Sequence, residues 1–101
     1  MADATNRPGP ALRRSDLIGR KWAPEIVSAL RAGPRRFSEL RAGIPGLGDT
    51  VPSRRLAELE RVGIVSRAPF AEIPPRVEYT LTPAGLALER LLAAIERWNR
   101  E

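Results

Sequence analysis

The chain has 101 residues, 43% of them apolar, with 17 basic and 12 acidic side chains and neither cysteine nor histidine. That length suits one domain around a single core, and the missing residue types exclude disulfides, thiol redox sensing, Cys/His metal sites and Cys- or His-based catalysis. The net charge of +5, almost all of it from arginine, favours a polyanionic partner.

No acidic pair or phosphate-binding glycine motif stands out, so we expect no enzyme, no cofactor and no metal. Nor is there an apolar run of the roughly 18 residues that a membrane span needs, or an apolar leader, which predicts a cytoplasmic protein without membrane contact. Residues 1–10 read as a flexible N-terminal tail and 11–101 as one domain.

The first helix candidate is ALRRSDLIG (11–19), with Leu12, Leu17 and Ile18 apolar. The second is KWAPEIVSALRAG (21–33), where Pro24 suits a first helical turn and Gly33-Pro34 stops the run. A short third helix is predicted in RRFSELRAGI (35–44), with Ser38 as its N-cap and Phe37 and Leu40 pointing inward.

After the loop PGLG comes DTVPSRRLAELERVGIV (49–65), which Asp49 or Thr50 can cap, with Pro52 in the first turn. Val51, Leu56, Leu59 and Val62 fall on one arc of this helix. Thr50, Ser53, Arg54, Ala57 and Arg61 fall on the opposite one. A solvated helix face commonly alternates Glu and Lys; this one offers small side chains and arginines.

Beyond Gly63 the pattern changes to two β-prone runs, IVSRAPF (64–70) and RVEYTLT (76–82), joined by the protruding loop AEIPPR. The last helix, TPAGLALERLLAAIERWNRE (82–101), starts at Thr82 and carries a stripe of Leu88, Leu91, Leu92, Ile95 and Trp98. The fold class is therefore mainly α with a small antiparallel β wing. The order of elements is that of a winged helix-turn-helix, with N- and C-terminal dimerisation helices added.

Four segments, LIGRKW (17–22), GPRRFSELRAGIPGL (33–47), RLAELERVGIVSR (55–67) and PPRVEYTLTPAG (74–85), occur in the order and at the spacing of the HxlR-type winged helix-turn-helix regulators. The chain resembles that family over nearly all of its predicted ordered length. The resemblance implies a homodimeric, sequence-specific regulator that binds double-stranded DNA at a palindromic operator. Two departures stand out. The family's Cys-Pro before the first helix reads Gly9-Pro10, so thiol sensing does not carry over. In the helix expected to read DNA, Pro52 stands at the usual Leu.

On this footing Thr50, Ser53, Arg54, Ala57 and Arg61 are the candidates for the major groove, which such a helix enters by its N-terminal part. Arg55 projects nearer the apolar arc, where it can reach a phosphate or pair with Glu39 or Glu58. Arg76 sits where a wing would meet the minor groove, and Arg35, Arg36 and Arg41 flank the helix expected to cross the backbone. Leu12, Leu17, Leu88, Leu91, Leu92, Ile95 and Trp98 are the candidate dimer interface, because so small a domain has little interior for that much apolar surface.

Two alternatives stay open. One is a winged-helix protein-interaction module that has lost DNA reading; Pro52 favours it, as does a charge of +1 over residues 51–101 (eight basic, seven acidic) against +4 over 1–50 (nine basic, five acidic). The other is a regulator with a small-molecule effector pocket at the dimer interface. With five aromatic residues, most of them expected inside, an RNA role is disfavoured.

Overall fold

The computed structural model describes residues 12–47 and 50–101, with Thr50 and Val51 described by their backbone alone. Four α-helices and a two-stranded sheet follow one another along the chain: α1 (Ala23–Ala29), α2 (Phe37–Gly43), α3 (Thr50–Arg61), β1 (Val65–Phe70), β2 (Arg76–Leu81) and α4 (Pro83–Arg100). Among the described residues no helix is long and apolar enough to cross a membrane.

The predicted first helix is replaced by a short 3-10 turn, Arg14–Leu17. Asp16 turns back to accept the Arg13 N–H at 2.9 Å, a bond that holds its carboxyl below the usual carboxylate range. Beyond it Trp22 sits at φ 74°, so the chain reverses before α1. Too few residues lie between these points to propagate an α-helix. Pro24 occupies the first turn of α1 as expected, and a second 3-10 turn, Leu30–Ala32, ends that segment.

Ser38 is not the cap of α2. The N-cap is Arg36, whose N–H donates to the Glu39 carboxylate at 2.8 Å, so the carboxylate one turn on satisfies the open end.

Helix α3 ends in a Schellman arrangement. Gly63, at φ 77°, donates to the Glu60 carbonyl at 3.0 Å, and Ile64 donates to Leu59 at 2.9 Å. Arg14 Nε reaches across to the neighbouring Val62 carbonyl at 2.8 Å. The start of α4 is stitched to the same corner. The Thr82 hydroxyl donates to the Gly63 carbonyl and accepts the Gly85 N–H at 3.1 Å, while the Thr82 N–H donates to Ile64 at 3.0 Å.

The core gathers one face from each element: Leu17; Ala23, Ile26 and Val27 of α1, with Leu30; Leu40 and Ile44 around α2; Leu56 and Leu59 of α3; and Ile64, Val65 and Leu81 at the base of the wing. Trp22, Phe37, Leu88 and Leu92 pack partly buried around it. The wing is antiparallel, in register from Val65 opposite Leu81 out to Phe70 opposite Arg76. A third short edge comes from Arg35, whose backbone exchanges hydrogen bonds with Tyr79 at 2.8 and 3.0 Å and so ties the start of α2 to β2.

Candidate nucleic-acid interface

Helices α2 and α3 lean on α1, and the inward face of α3 decides what it shows outside. Pro52, Arg55, Leu56 and Leu59 are buried, which leaves Ser53, Arg54, Ala57, Glu60 and Arg61 exposed on one side. The outward set matches the sequence expectation at Ser53, Arg54, Ala57 and Arg61. The side chain of Thr50, and Asp49 as an alternative cap, lie outside the described residues. Arg54 forms no ion pair among the described residues, so its guanidinium is available to an incoming acceptor.

Arg55 leaves the candidate DNA set. It is 7% exposed, donates from Nε to the Lys21 carbonyl at 2.8 Å, and pairs with Glu58. Glu58 is also met by Arg20 at 3.5 Å. These contacts pin the turn before α1 to the middle of α3, the structural alternative that the sequence left open. Removing one partner from such a buried pair strands a charge, which makes the cluster a fixed strut.

Arg76 is likewise engaged within the wing. Its Nε lies 3.2 Å from Glu72 and 3.5 Å from Glu78, and its Cζ stacks 4.2 Å from the centre of the Phe70 ring. Nε is buried without an aligned hydrogen bond, so the contacts are charge pairing and cation–π stacking. Two carboxylates around one guanidinium leave little positive potential for a phosphate or a narrow groove, contrary to the expectation from sequence. The register explains it: Phe70 and Arg76 are direct partners, and Glu78 lies two residues along on the same face.

The wing cation that the sequence reading missed is Arg67, exposed on β1 and without an ion pair among the described residues. Period-two alternation puts it on the same face as buried Val65 and so inward. It is exposed because the ribbon outruns the core beyond Tyr79. Near α2, Arg36 and Arg41 are exposed. Arg35 is half-buried, and it donates to its neighbour's carbonyl, Pro34, at 2.9 Å.

Helix α4, packed against α1 and the base of β2, runs 18 residues, about 27 Å. Its inward face meets the core through Gly85, Leu88, Glu89 and Leu92, while Leu91, Ile95 and Trp98 are exposed, Trp98 by 71%. Leu86, 41% exposed, joins them although the sequence stripe omitted it. Leu17 leaves the candidate interface: it is wholly enclosed by this chain's own core, and it has no surface to offer a second copy. Leu12 is half-buried against that core.

Comparison with known proteins agrees with this architecture. The HxlR-like helix-turn-helix family model matches residues 17–101. The HTH-type transcriptional regulator YvaP of Bacillus subtilis is 43% identical over 86 residues, spanning 85% of this chain and 80% of YvaP. Among solved structures, a MarR-family transcriptional regulator from Enterococcus faecalis superposes with a TM-score of 0.79 at 40% identity, covering 84% of this chain and 77% of that one. The reduced form of the regulator YodB from B. subtilis gives 0.76 at 37%, covering 83% and 82%. With a helix-turn-helix on one side, a two-stranded wing beside it and relatives of this kind, the chain belongs to the HxlR-like helix-turn-helix family of transcriptional regulators.

Proposed function

We propose that the protein acts as a cytoplasmic homodimer that recognises a palindromic operator in double-stranded DNA, with α3 in the major groove. The observation that carries this reading is the outward face of α3, where small Ser53 and Ala57 stand beside an exposed Arg54 that has no ion pair among the described residues. Small side chains let a helix approach the bases, and an extended guanidinium can hold a guanine edge through two hydrogen bonds. Arg36, Arg41, Arg61 and Arg67 supply phosphate contacts, which position the helix and give salt-dependent affinity without discrimination. Leu91, Ile95 and Trp98, with Leu86, Leu88, Leu92 and Leu12 at the margins, form the seam between two copies. Two-fold pairing then presents two α3 helices to successive major grooves.

Selection of duplexes from a random library at about 0.15 M salt tests this directly, because non-specific phosphate binding is weak there. The expected result is an inverted repeat with half-sites about one helical turn apart. A second reading draws on the neutralised Arg76 and the buried Arg55: the module then docks on a protein instead of reading bases. Weak, unselective binding to every duplex would establish that alternative.

A further inference from the structure

A groove of about 480 Å³ lies between α1 and α4, away from α3 and the wing. That volume falls within the range of small-molecule sites, which are mostly apolar with a few placed polar groups. Its apolar lining includes Ile18, Leu92 and Ile95. Its charges are not balanced. Glu89 is met by Arg31 at 3.6 Å, but Glu25 and Glu96, which also line the groove, have no basic partner among the described residues. In a chain of net charge +5, two carboxylates without an ion pair among the described residues, beside one groove with an apolar lining, form a local negative site within a positive molecule.

We propose that this groove binds an organic cation: an apolar body against Ile18, Leu92 and Ile95, and a delocalised or quaternary positive charge held by Glu25 and Glu96. Desolvation favours such a ligand. A diffuse cation gives up its hydration easily, and each carboxylate acts over a short distance beside low-dielectric side chains. Ile95 also belongs to the proposed seam between copies, so the ligand would sit where pairing is decided. Occupancy does not depend on DNA reading, and it is measured on the protein alone.

Tetraphenylphosphonium and tetraphenylborate are matched in shape and opposite in charge, which makes them the probes of choice. Calorimetry at about 0.15 M salt, where long-range attraction is screened, is expected to show saturable binding of the phosphonium only. The Glu25→Gln/Glu96→Gln double variant should weaken that binding about tenfold or more, with its elution volume and thermal midpoint unchanged. Both side chains are exposed, so neither substitution opens the core, and the wild-type comparison of the two probes stands even if the variant misfolds. Borate binding as tightly as the phosphonium, no phosphonium binding, or binding indifferent to the double variant would each overturn the proposal. So would a changed elution volume of the variant, which would make the groove the seat of a second copy's arginine.

Discussion

Three side chains of one type separate by surroundings alone. Arg54 is exposed on α3 without an ion pair among the described residues, Arg55 beside it is buried against Glu58 and the Lys21 carbonyl, and Arg76 is held between Glu72, Glu78 and Phe70. We expect Arg54→Ala to reduce preference at one operator base position by about 1–3 kcal/mol, read by competition among single-base operator variants. An equal loss on all sequences would reassign Arg54 to a phosphate. For Arg76→Ala, operator affinity should change less than about threefold, because the guanidinium is already neutralised; a tenfold loss with a smaller salt slope would show that the clamp opens on DNA. Gly85 is required for a different reason. A Cβ there would stand 2.2 Å from the Ile64 carbonyl oxygen, so Gly85→Ala should cost about 1–3 kcal/mol in urea unfolding. An unchanged midpoint would mean that α4 can lift from that corner freely.

Among the elements, α3 is the best anchored. Its C-terminal end is closed by Gly63, by Ile64 and by Arg14 on Val62, and its middle is tied through Arg55 and Glu58 to the turn before α1. A helix that must present side chains to bases gains from such support, since small displacements move every contact together. Arg55→Ala leaves Glu58 with the longer Arg20 contact alone and the Lys21 carbonyl without its donor, and is expected to cost about 1–3 kcal/mol of stability. If the variant remains folded, its salt slope of DNA binding should equal that of the wild type. A slope reduced by about one would restore Arg55 to the phosphate contacts. The wing is the opposite case: its tip at Ile73 is fully exposed, and Arg76, Glu72 and Glu78 are spent on one another.

For the whole molecule, the outer half of α4 carries apolar surface that this chain does not cover. Ile95→Glu should therefore yield a monomer with weak operator binding, followed by light scattering alongside a mobility assay. A dimer that still binds the operator would move the seam elsewhere. Fold and family membership do not carry the signal: YodB is described in a reduced and a diamide-treated form, whereas this chain has no cysteine. Thiol chemistry on these residues is therefore excluded as its signal, and the groove beside α4 offers a place for a non-covalent one.

Periodicity and punctuation alone determined the order of elements from the second predicted helix onward, the turn position of Pro24, the Thr82 cap and the outward set Ser53, Arg54, Ala57 and Arg61, because these depend on residues close together in the chain. Tertiary structure decided the rest, because those outcomes depend on partners distant in the chain or across the wing. Leu17 was drawn into the core by packing against residues far along the sequence, and Arg55 found the Lys21 carbonyl 34 positions away. Arg76 met Phe70 through strand register, and Arg67 was left exposed where the ribbon runs past the core. Local pattern states which face a side chain takes; only the assembled chain states what is waiting there.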